Sequence, residues 1–193
     1  MGMDGIKIRA ATTADAASIL EIYRYYVENT AISFEYETPD IDAFRLRMAR
    51  TLEKYPYLAA VRAGEILGYA YGGPFVGRAA YDWSAELTIY VAADQRKHGI
   101  GRMLYSALER RLGEMGILNL YACVGYPAEE DPYLTKNSVQ FHEHLGFRRV
   151  GTFHNCGCKF QRWYDMVWME KIIGVHGENQ AAVRRWPEIA DGA

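Results

Sequence analysis

The sequence predicts a mixed α/β fold, a single domain whose one central sheet is covered by helices. Three observations carry this expectation. Short runs of two-residue alternation are interleaved with apolar stripes of three- and four-residue spacing. The Ala63-Gly64 turn joins two strand-like runs closely enough that they must pair antiparallel. The 193 residues, half of them hydrophobic, are enough for one sizeable core, and no repeat, low-complexity tract or linker divides them.

Alternating Ile6 and Ile8 read as a first short strand. Thr12, Thr13 and Asp15 supply helix-start chemistry ahead of Ile19, Leu20, Tyr23 and Val27, which share one helical face. Thr38-Pro39-Asp40 is a second start, with Thr38 as cap and proline at the first helical position, leading through Phe44, Leu46 and Met48 to an end near Tyr55-Pro56. Tyr57 to Arg62 and Glu65 to Tyr71 form the hairpin strands, and Gly72-Gly73-Pro74 should break the second. Glu86 to Val91 is the next strand. From Ile100, the stripe Met103, Leu104, Ala107, Leu108 and Leu112 marks an amphipathic helix whose end Gly113 and Gly116 weaken. Leu118 to Val124 is a strand, Asn137 to Leu145 a short helix stopped by Gly146, and Phe147 to Phe153 and Trp163 to Lys171 are the closing strands. The domain is expected over 1–174, with 175–193 as a tail.

Charge narrows the partners. Lys and Arg number 22 against 24 Asp and Glu, so no polybasic field exists to hold nucleic acid or an anionic membrane. No apolar run approaches the roughly 20 residues needed to cross a bilayer, and the start is not a signal peptide. A soluble cytoplasmic protein with a small-molecule partner is expected. Cys123, Cys156 and Cys158 are too few for a secreted disulfide framework. His154, Cys156 and Cys158 alternate as strand residues would, and no second ligand pair at zinc spacing follows, so no metal is expected.

The stretch Arg96-Lys97-His98-Gly99-Ile100-Gly101 lies where a strand gives way to a helix. Glycines there let the backbone approach a bulky anion, and the unpaired N–H groups of a first helical turn suit a pyrophosphate. Lys97 and Arg102 add positive charge. A helix start bearing solvated basic residues is the competing reading. A dinucleotide loop would need a third glycine in G-x-G-x-x-G form, and a triphosphate loop a Gly-Lys-Ser or Gly-Lys-Thr; neither is present.

Arg96, Gly99 and Gly101 match the R/Q-x-x-G-x-G/A loop of the GNAT superfamily of acetyltransferases. Asn29 to Phe34, Tyr55 to Leu58, Gly73-Pro74, Ala80 to Glu86, His142 to Phe147 and Trp163 to Asp165 resemble its phosphinothricin N-acetyltransferase branch, over roughly residues 5 to 172. The resemblance implies a GNAT-like central sheet, mixed but mostly antiparallel, flanked by helices, and a homodimer. It implies acetyl-CoA as acetyl donor, its pantetheine arm on the backbone of Ile89, Tyr90 and Val91 and its pyrophosphate wrapped by Lys97, His98, Gly99, Ile100, Gly101 and Arg102. The family's cofactor-contacting asparagine has no clear counterpart, since Thr135 stands at its position and Asn137 two residues late.

Acetyl transfer to an amine needs the neutral nucleophile, whereas an alkylammonium titrates at about 10. By the resemblance, Glu86 takes that proton; a strand-end glutamate held in an ion pair is the alternative. His142 is the second candidate, to orient the amine or protonate the departing thiolate, with a packed core histidine as its alternative. Phe34, Arg78 and Tyr81 match substrate-pocket positions, Arg78 suiting a carboxylate or phosphinate, although Val76 stands where the family has a basic residue. The expected reaction is acetylation of a small amino-acid-like amine such as phosphinothricin, methionine sulfoximine or methionine sulfone. A protein N-terminal or lysine acetyltransferase and a non-catalytic acetyl-CoA-binding regulator are the alternatives on the same fold.

Overall fold

The computed structural model of the chain describes residues 5–190. Strands β1 (Lys7–Ala10), β2 (Tyr57–Arg62), β3 (Glu65–Pro74), β4 (Ser84–Val91), β5 (Asn119–Tyr126), β6 (Arg148–Lys159) and β7 (Arg162–Ile172) form one sheet in the order β1-β2-β3-β4-β5-β7-β6. Only β4 and β5 run parallel; every other neighbouring pair is antiparallel. The helices are α1 (Ala16–Asn29), α2 (Ile41–Leu52), α3 (Ile100–Met115), α4 (Asn137–His144) and α5 (Trp186–Ala190). Among the described residues no helix is long and apolar enough to cross a membrane.

Strand alternation divides the core into two layers. Leu58 and Ala60 of β2 point to the face covered by α3, while Tyr57 and Ala59 point to the face covered by α1 and α2. The α3 layer carries Leu104, Leu108 and Leu112, all fully buried.

Local chemistry explains where elements begin and where the sequence misleads. The Thr12 hydroxyl accepts from Ala14 N at 3.3 Å and Thr12 N donates to Asp15 at 2.8 Å, a reciprocal cap ahead of α1. For α2 the cap is Asp40, not Thr38: its carboxylate accepts from Ala43 N at 2.8 Å, and Pro39 lies outside the helix. Strand β3 does not break at Gly72-Gly73-Pro74 but pairs through to Ala85. A Cβ on Gly72 would stand 3.1 Å from Leu112 Cδ2, so glycine here admits a helix rather than a turn.

Strand β6 runs six residues past the expected Phe153, through a bulge, to a two-residue turn at Phe160 and Gln161, whose φ angles are +51° and +60°. Both lie in the left-handed region that a tight hairpin demands, yet neither is Gly or Asn. The expected tail folds back: Trp186 is buried against α3 under Arg111, and Trp186 N donates to Lys54 O at 2.9 Å. Residues 191–193 of that tail lie outside the described residues.

Candidate active site

The site opens where the parallel pair fails. β4 and β5 pair only from Ser84–Glu86 to Asn119–Tyr121, after which β5 continues against β7 alone. The backbone of Leu87 to Tyr90 is therefore bonded to β3 on one side and free on the other, the place where an extended amide-bearing chain can insert. Val91 offers less than the sequence suggests, because its carbonyl already accepts from Tyr26 OH at 2.5 Å.

Beyond β4 the chain turns left-handed at Lys97 (φ +65°) and again at Gly99 (φ +78°), the residue before α3. The first helical bond is Met103 N to Gly99 O at 3.1 Å, so the N–H groups of Gly101 and Arg102 precede it and point out of the helix end. Lys97, His98 and Arg102 are exposed around it, while the Ile100 side chain is buried in the core and can contribute backbone only. These residues fit a pyrophosphate: backbone donors, a positive helix end and free cations.

Gly101 answers to packing as well. A Cβ there would stand 3.1 Å from the Phe141 ring of α4. We expect Gly101→Val to cost about 1–3 kcal/mol by forcing Phe141 aside, read from the urea midpoint. An unchanged midpoint would show that the glycine serves the anion alone.

A cavity of about 430 Å³ lies at the strand separation, with Glu86 and Thr88 at its base, Ser33, Phe34 and Glu35 as one wall, and His142 as another. Glu86 is half-buried, and among the described residues its carboxylate forms no hydrogen bond or ion pair. Burial alone lifts its pKa above the usual carboxylate range. The ion-paired reading therefore fails, and an unneutralised carboxylate is left facing the cavity.

His142 is buried, which pushes its pKa below the ordinary histidine value although the Ser138 carbonyl partly opposes the shift. Its Nδ1 lies 2.7 Å from Ser138 O, a pure acceptor, so the proton is on Nδ1. Nε2 then accepts from Tyr105 OH at 3.0 Å. In this arrangement His142 is neutral and has no proton to give toward the cavity. Tyr105, whose phenol is driven far up by burial and then by the Glu86 charge, was concealed in the sequence as one more position near the α3 stripe. Cys123 also lines the cavity; desolvation first and the Glu86 charge second push its thiol up to about 12, away from the reactive thiolate form.

Phe34, Glu86, Ile89, Tyr90 and His142 thus meet in one cavity. Arg78 and Tyr81 do not: both are exposed on the loop between β3 and β4, Tyr81 edge-on to Phe75. What sequence reasoning missed is a chamber of about 160 Å³ that shares Tyr23, Glu35, Thr88 and Tyr90 with the main cavity. Tyr57, Tyr69 and Tyr71 stack along it, and the Arg47–Glu35 pair, 2.5 Å apart, stands among its lining. Nothing in one sequence links residues 35 and 47. Among the described residues no group of three or more His, Cys, Asp or Glu side chains could hold a metal ion; His154 is paired with Asp165 at 3.0 Å.

Residues 8–168 match the acetyltransferase (GNAT) domain family. The phosphinothricin N-acetyltransferase of Streptomyces viridochromogenes is 33% identical over 166 residues, 86% of this chain and 87% of that protein. The L-methionine sulfoximine/L-methionine sulfone acetyltransferase of Pseudomonas paraeruginosa is 36% identical over 168 residues, covering 84% of this chain and 92% of that one. A GNAT superfamily phosphinothricin acetyltransferase from Sinorhizobium meliloti, solved in complex with acetyl-CoA, superposes with a TM-score of 0.83 at 30% identity, over 94% of this chain and 98% of the other.

Proposed function

Because this chain belongs to the GNAT family of acetyltransferases, we propose that it transfers the acetyl group of acetyl-CoA to the primary amine of a small amino-acid-like substrate. The observation that carries this reading is Glu86: an unpaired, half-buried carboxylate in a cavity at the parting of β4 and β5. The acceptors named for the two relatives above are amino acids with compact polar heads, which supports the same class here. A cavity of about 430 Å³ with Phe34 in its wall is of a size for such a ligand, which supports it over a polypeptide.

Acetyl-CoA, when bound, supplies an acetyl group activated as a thioester. The backbone of Leu87 to Tyr90 and the N–H groups beyond Gly99 are the chain's means of holding it. Glu86 takes a proton from the substrate ammonium, directly or through a water, leaving the nitrogen lone pair free to attack. His142 and Tyr105 act as a bonded pair that fixes the phenol near Glu86. A regulator that only sensed acetyl-CoA would have no use for Glu86. A screen of free amino acids and their analogues, following thiol release from acetyl-CoA, tests the reading; release with no amine in the screen would sink it.

The anionic end of the substrate is better served by Arg47 than by Arg78, because Arg47 lines the chamber that adjoins the cavity. We expect Arg47→Ala to raise KM for an anionic amino acid about tenfold more than for its amide, as when a charge-assisted bond is lost. If Arg78→Ala alone shows that charge-dependent loss, the role returns to Arg78 and its neighbour Tyr81. Val150 and Phe153 on the edge strand β6 and Trp163 on its neighbour β7 expose apolar surface, which supports a homodimer through that end of the sheet. We place the enzyme in the cytoplasm, with access to acetyl-CoA.

A further inference from the structure

The wall that faces Glu86 across the cavity, residues 32–35, belongs to no helix or strand, and its anchor lies far along the chain. Lys159, the last residue of β6, is only 2% exposed. Its Nζ donates to Val27 O and to Ser33 O, each at 2.7 Å. Val27 is in the last turn of α1, where carbonyls lack intrahelical donors and the helix end is negative. Tyr26 O in the same turn is taken by the Thr30 hydroxyl at 2.7 Å. One ammonium therefore caps α1 and grips the first part of the wall together.

Its neighbours extend the grip. Tyr36 OH donates to Cys158 O at 2.5 Å, just beyond the wall. The Ser33 hydroxyl lies 2.8 Å from Tyr23 OH and accepts from Glu35 N at 3.3 Å, so holding Ser33 also sets the turn into Glu35. Burying an ammonium is unfavourable unless its donors are used. Here two of them are spent on the backbone of a segment more than a hundred residues away, rather than on a carboxylate.

We propose that Lys159 is a positioning residue for the amine substrate, setting the distance at which Phe34 and Glu35 stand from Glu86. The proposal rests on the cavity being the amine site. Through it the β6–β7 hairpin tip governs acceptor selectivity without touching the acceptor.

Lys159→Met keeps the stem and removes the three donors. The variant should raise KM for the amine about tenfold, leave KM for acetyl-CoA within about twofold, and speed amide exchange selectively at 31–36. Tyr36→Phe, changed at an exposed ring, should fold in any case and move the same two readouts in the same direction by less. Equal rises in both Michaelis constants, or faster exchange with an unchanged amine KM, would overturn the proposal, as would unaltered exchange at 31–36 in both variants. If the unsubstituted chain acetylates no amine, the functional reading fails instead, and amide exchange, which needs no turnover, still decides whether Lys159 holds the wall.

Discussion

Glu86→Gln should lower turnover by about 10² to 10⁴ while acetyl-CoA affinity stays as it was, because the amide keeps the shape of the side chain and loses only its basicity. The pH profile is the sharper readout. In the unsubstituted enzyme, the acid limb should include ionisation of Glu86, which burial moves upward from the ordinary carboxylate range. In the variant that limb disappears and activity climbs with pH, by up to about tenfold per unit, as the amine approaches its own pKa of about 10 and supplies free base unaided. His142→Ala should also lose activity, but without relief at high pH, since its contribution is the bond to Tyr105. Near-normal turnover in Glu86→Gln at neutral pH would remove Glu86 as the base, and pH rescue of the His142 variant alone would hand the role to histidine.

Gly157→Ala is expected to lower kcat/KM for the amine about 10²-fold, with little change for acetyl-CoA. The added Cβ would overlap Phe34 Cε2 and stand 2.7 Å from its Cζ. Gly157 is paired with Tyr164 across the hairpin and the atoms met are all of the Phe34 ring, so it is the ring that must leave its place against Tyr164. Steady-state constants for both substrates check this. A loss confined to acetyl-CoA would mean that the ring bounds the donor side.

The two hairpins show what one sequence can and cannot tell. Ala63-Gly64 announces its turn through a glycine at φ +87°, whereas Phe160 and Gln161 adopt the same kind of backbone with side chains that disguise it. Without that mark the sequence ends the strand at Phe153, and Gly157 and Lys159 fall outside it. Glu86, Gly99 and His142 were legible because each lies in a local run with family character. Arg47, Tyr105 and Lys159 were not, since their meaning comes from partners 12, 37 and more than a hundred residues away. Arg78 had the right chemistry, and its exposed position on the β3–β4 loop is set by tertiary folding that no local pattern records.

The buried Trp186 also bears on how the chain comes to be folded. A ribosome releases Trp186 well after α3 and Lys54, and until that indole emerges the surface of α3 beside Arg111 and the Lys54 carbonyl lacks the cover that it gives. Completion of this layer during synthesis must then wait until Trp186 has cleared the ribosome, and a nascent chain stalled ahead of that residue would be the form that chaperones and proteases meet.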